Sequence, residues 1–173
     1  MDVSINKKAR RLIMAIMAGT LSFFIFIGGG KMEYNLVADK KQTIRVGRKV
    51  VISSVSPVHN NLQVVFEDDK KTGYFYALDS NYEQLIIDAR HIYDVKAVTD
   101  RNIPSEIVIA WSKDGNSAIL FINNYPHAVM DFDNKHGFCR SGFPPRPHNS
   151  PWSVKGHEWD EKRYNEIVSG GSH

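Results

Sequence analysis

The sequence predicts a β-rich α+β protein: an antiparallel meander sheet of about six to eight strands with a C-terminal helix on one face, preceded by an N-terminal hydrophobic signal or anchor helix. Three observations predict it. Short β-branched and aromatic runs fill residues 43 to 142, turn residues separate them at regular intervals, and an uncharged apolar segment stands alone near the N-terminus. The organisation that follows is a signal peptide or anchor over 1–30, a linker or short strand over 31–42, one globular domain over 43–168 and a tail over 169–173.

Lys7, Lys8, Arg10 and Arg11 precede sixteen uncharged residues, Leu12 to Ile27. Their apolar side chains cover every face of a helix instead of one stripe, so that helix requires an apolar surround. Cations followed by an apolar run are the pattern of export, and they keep the N-terminal end in the cytoplasm. Sixteen residues are at the short end for spanning a bilayer, which needs about 20. Gly28 and Gly30 occupy the minus-three and minus-one positions of a cut before Lys31, so removal and retention both stay open. Two other readings are a buried N-terminal helix of a cytoplasmic domain and a true start at Met32. The expected location is therefore the periplasm, soluble or anchored in the inner membrane through residues 12–27.

Composition narrows the partners. Residues 1–30 hold four Lys/Arg and one acid, which leaves eighteen basic and eighteen acidic residues in 31–173. The exported part is neutral, and the basic footprint of a nucleic-acid binder is missing. Cys139 is the only cysteine, so no intramolecular disulfide forms, and it reads as a small buried hydrophobe.

Along the domain, "TIRVG" and "KVVISSVS" are strand runs broken at Gly47, and "LQVVFED" alternates Leu62, Val64 and Phe66 with polar residues. "DDKKTG" turns into "YFYALD", where Tyr74, Tyr76 and Leu78 share a face. Residues 81–98 are ambiguous: Leu85, Ile86, Ala89, Ile92 and Tyr93 recur at helical spacing, and Ile86, Asp88, Arg90, Ile92 and Val95 fit poorly as a strand face, yet the β-branched content is high. A bent strand pair is the preferred reading, a short helix the alternative. "IVIAWSKDGNSAILFIN" is the clearest hairpin, its turn supplied by Asp114 and Gly115. Four of seven prolines fall in 143–157, which cannot be regular structure, and "EWDEKRYNEIV" then closes the chain as a helix.

No motif names a reaction. "AWSKDGNSAILF" is like one hairpin of the propeller proteins, but a propeller repeats that unit and here it occurs once. His127, His136, His148 and His157 crowd the C-terminal part with Asp131, Asp133 and Cys139. In a strand, His127 and Asp131 stand about 13 Å apart and cannot share an ion, whereas Asp131 and Asp133, or either with His136, can. Ser141 lacks a nucleophile-elbow motif, and His136 lies three residues from Cys139 without the geometry that activates a thiolate. Polar residues of a half-exposed strand are the default reading, and no cofactor is expected.

At "GYFYALD", "WSKDG", "INNYPHAVMDF" and "GFCRSGFPP" the chain resembles a family of small bacterial domains of uncharacterised function, over about residues 45–165. The resemblance is one of pattern and carries no catalytic residue. Such small domains resemble in turn the immunity proteins that protect bacteria from antibacterial effectors, an analogy of genre only. The leading expectation is an exported binding protein that neutralises an envelope-targeting effector. Its partner surface is expected at Asp131, Asp133, His136, Arg140, Arg146, Trp152 and Trp159, because Trp and Arg concentrate at interface hot spots. The competing account of the tryptophans makes them plugs at the end of the core. An exported hydrolase or metal-dependent enzyme using the His/Asp/Cys cluster at residues 127–157 is the alternative function, and a self-associating envelope protein is a third.

Overall fold

The computed structural model describes residues 35–145 and 152–170. The expected N-terminal helix, Arg146 and residues 171–173 lie outside them. Nine strands form two antiparallel sheets. The first contains β1 (Leu36–Ile44), β6 (Ser105–Ser112), β7 (Ser117–Ile122), β8 (Tyr125–Asp131) and β9 (His136–Cys139), hydrogen-bonded in that order. The second is the meander β2 (Val50–Val55), β3 (Leu62–Asp68), β4 (Thr72–Asp79) and β5 (Ile86–Asp94). β1 lies beside β2 and β9 beside β5, so the two sheets close into a flattened barrel.

Alternation explains the core. Ile107, Ile109 and Trp111 of β6, with Ala118 and Leu120 of β7, face Ile52, Val64, Phe66, Phe75 and Ala77 of the second sheet. The intervening positions Ile119, Val129 and Phe138 point to the opposite face, beneath Ile167 of the C-terminal helix α1 (Glu161–Ser169). The central strands of the first sheet are thus covered on both sides, which is why "IVIAW" and "SAILF" read as unbroken apolar runs. α1 begins where the Asp160 carboxylate accepts from the Arg163 N–H and ends at Gly170, whose φ is 67°.

Three expectations change. The single meander is two sheets, because the loop over residues 45–49 carries the chain from one layer to the other. The polar stretch over 31–42, read as linker or short strand, contributes from Leu36 onward to the nine-residue β1, an edge strand on which Lys41 and Gln42 are exposed. The ambiguous region over 81–98 contains one strand, β5, followed by a single 3₁₀ turn, Val95–Ala97. Its inner face read poorly because Asp88 and Arg90 are buried there as an ion pair.

The chain enters and leaves at one place. The Asn35 N–H donates to the Val168 carbonyl at 2.9 Å, and the Lys113 N–H donates to the Asn35 carbonyl at 3.0 Å. Among the described residues no helix is long and apolar enough to cross a membrane.

Candidate functional site

β8 and β9 are neighbours at the edge of the first sheet, and their outward side chains meet the segment leading into α1. Arg140 follows β9 directly, fixed by its N–H to the His127 carbonyl (3.0 Å) and by its Nε to the Pro126 carbonyl (3.1 Å). With its stem held, its guanidinium lies 3.6 Å from the centre of the Trp159 ring and 4.7 Å from that of Tyr125. A guanidinium sandwiched so is worth about 0.5–2 kcal/mol per ring and loses little further entropy when it meets a partner. Trp159 is half-buried against Phe138 and Tyr164, and its Nε1 donates to Glu161 at 2.5 Å. Tyr125 stays 51% exposed and stacks edgewise on His127, whose pKa is held below its ordinary value by burial and by Arg140. The result is an ordered, accessible patch of two aromatic rings and one cation, with the Glu161 carboxylate 3.9 Å from the guanidinium.

The other expected surface residues are placed differently. Asp131 is fully buried beneath α1, bonded to Arg163 Nε at 2.6 Å and to Asn134 at 2.8 Å. His136 is buried, its Nε2 at 3.2 Å from the Gly156 carbonyl and its ring against Phe138. Trp152 is buried and packs edgewise on Phe132, which stacks on Trp111, so it closes one end of the core. Asp133 is exposed in the β8–β9 turn, and burial and Asp131 raise its pKa. Of the seven residues, Arg140 and Trp159 are brought together, and Arg146 lies outside the described residues.

The cluster expected to hold metal or nucleophile chemistry disperses. Asp131 is taken by Arg163, His136 by a backbone carbonyl, and buried Cys139 sits 3.3 Å from Ser141 Oγ and 3.6 Å from the Phe143 carbonyl. Among the described residues, no three His, Cys, Asp or Glu side chains gather within reach of one ion.

A polar cluster with no signal of its own lies at the β5–β9 seam. Arg90 donates from Nη2 to Asp88 at 2.6 Å, and Asp88 also accepts from Ser153 Oγ at 3.2 Å. Ser153 takes up the Gly137 N–H at 2.9 Å, and a side chain at Gly137 would collide with Asp88. The Pro144 carbonyl accepts from Arg90 and His157 Nδ1. Burial holds the Asp88 carboxyl above the usual carboxylate value despite the pull of Arg90, and it lowers His157. These bonds hold Pro144, Ser153 and His157 against the seam between β5 and β9. The odd alternation Asp88–Arg90 within β5 was its only trace in the sequence.

This geometry defines a class: a two-sheet antiparallel β domain with a C-terminal helix packed on its outer face. The chain belongs to the DUF2251 family of uncharacterized proteins conserved in bacteria, whose pattern matches residues 44–168. It is 34% identical to an uncharacterized protein of Haemophilus influenzae over 132 residues, 76% of this chain and 81% of that relative. No solved structure matches the chain. The family match ends within α1, which makes the helix part of the shared domain.

Proposed function

We propose that the chain is an exported binding domain that neutralises an envelope-targeting antibacterial effector, engaging it through the surface around Arg140. One observation carries this reading: the Arg140 guanidinium is held ready between the exposed Tyr125 ring and Trp159, on a rigid sheet edge. Arg, Trp and Tyr are the types that dominate protein interfaces, and a preset side chain minimises the entropic cost of binding. Export is supported by the four cations and the apolar run of residues 12–27. The immunity role adds the analogy of size and single-domain plainness.

The test places a photo-crosslinking amino acid at Tyr125 or at Tyr82, which is 45% exposed in the β4–β5 loop, in the full chain expressed in its own host. A discrete protein adduct from position 125 in the envelope fraction, absent from position 82 and lost in Arg140→Ala, is the expected result. The same adduct from both positions, or none from 125, overturns the surface. Unchanged resistance of cells lacking the gene to effector-producing neighbours overturns the immunity role.

A further inference from the structure

Charge is neutral in the sum over residues 31–173 but divided by the fold. Strand connectivity assigns every loop to one of two ends. The end reached by the C-termini of β1, β3, β5 and β7 carries the loops over residues 45–49, 69–71, 95–104 and 123–124 and the turn over 140–145. These contain three, two, two, no and one Lys/Arg, against Asp69 and Asp100 within the loops and Asp68, Asp94 and Glu106 at the strand ends beside them. The opposite end, where Asn35 meets Val168, carries loops in which acids and cations nearly balance.

At the basic end, a groove of about 410 Å³ is lined by Arg45, Arg48 and Lys49 above Ile44, Val50 and Pro104. Among the described residues no carboxylate lines it, and none of the three cations makes an ion pair. Three exposed cations around one cleft focus a positive potential that attracts an anionic group. Their scaffold is fixed. The Gly47 N–H donates to the buried Asp68 at 2.7 Å, Val95 packs under Gly47, and Arg45 donates to the Asn102 carbonyl. Gly47 has φ of 84° with Val95 already in the space of a Cβ, so the β1–β2 loop tolerates no side chain at this point.

We infer that this groove is a docking site for a carboxylate-rich, extended segment of a protein partner. Guanidinium groups match carboxylates two bonds at a time, and Ile44, Val50 and Pro104, which share the lining with Gln42 and Thr43, offer contact to intervening aliphatic side chains, which a phosphate polymer lacks. The position fits a tethered domain: β1 is nine residues long, so the groove stands about 30 Å from the end at which the N-terminal segment enters. It shares its end with Arg140, four strands along the sheet and about 19 Å away. One partner can therefore touch both, and in that respect the inference rests on the proposed binding function.

The experiment titrates the full chain, in mild detergent, into a fluorescein-labelled ten-residue peptide of alternating Glu and Ala and reads anisotropy. Binding should weaken steeply between about 0.05 and 0.5 M salt. It should drop by about tenfold or more in Arg45→Gln/Arg48→Gln/Lys49→Gln, and hold in Lys113→Gln/Lys135→Gln/Lys155→Gln, which removes the same charge from the other end. Equal loss in both triple variants, or no binding by the parent, overturns the site. Displacement by inorganic polyphosphate at far lower charge equivalents than by unlabelled peptide overturns the carboxylate assignment. Thermal melting confirms that the variants fold. Arg140→Ala should leave peptide binding intact, so failure of the crosslinking surface and failure of this groove read out separately.

Discussion

Arg90→Met isolates what the seam cluster contributes. Arg90 is 1% exposed and, among the described residues, supplies the only cation bonded to Asp88, itself 8% exposed. Removing one member of a buried pair costs about 3–5 kcal/mol, because the remaining charge stays desolvated. Here Ser153 still donates to Asp88, which favours the lower part of that range. For a domain with about 5–15 kcal/mol in total, the urea midpoint should fall by about 2 M with little change in slope. The double variant Asp88→Asn/Arg90→Met removes both charges in the same volume and should recover at least half of the loss, a coupling seen directly in a double-mutant cycle. The pH dependence gives a second reading. Burial already lifts the Asp88 pKa above its unfolded value, and losing Arg90 lifts it further. The folded variant then holds a proton that the unfolded chain releases, so its stability is retained at low pH and lost as pH rises through the raised pKa. Its deficit against the parent should be largest near neutrality and shrink towards pH ~5. Additive single variants, or a deficit that grows on acidification, would refute the buried-pair account.

Trp152→Ala should destabilise by about 3–5 kcal/mol in denaturant melts, and half-buried Trp159→Ala by about half that; the reverse order would contradict their placement. Cys139 is fully buried, so a thiol reagent should label it at the rate of global unfolding, and stoichiometric labelling of the native protein within seconds would argue against that burial. His136 and His157 have pKa values lowered chiefly by burial. The unfolded chain therefore takes up more protons below about pH 6.5, and their contribution to stability drains away as pH falls. His157→Gln should flatten this part of the pH profile, and an unchanged profile would count against its burial as the neutral form.

The legible parts of the fold were those set by local chemistry. Leu62, Val64 and Phe66 alternate because one face of β3 meets the core, and Asp114-Gly115 announces its turn because Gly115 needs a φ of 73°. Division into two sheets was not legible, since a five-residue connection reads the same within a sheet as between sheets. β5 was obscured by charge on its inner face: Asp88 and Arg90 satisfy each other only once the strand is folded against the Pro-rich segment. The candidate surface was half legible for a related reason. Arg140 and Trp159 signalled an interface by residue type, but Tyr125 joins them only through strand pairing, and Trp152, of the same type, is drawn into the core by Phe132. Residue type marks an anchor without stating whether it anchors a partner or the protein itself.

The clasp between Asn35 and Val168 has a topological consequence. With the two ends of the described chain in hydrogen-bond contact, the domain is close to a closed loop, and where it is cut is a free choice. A short linker from residue 170 to residue 35, with new termini opened between Asn81 and Gln84 in an exposed loop, should give a permuted protein with the same fold. A reporter fused after residue 170 in the natural order sits beside Asn35 and leaves the far, basic end unobstructed.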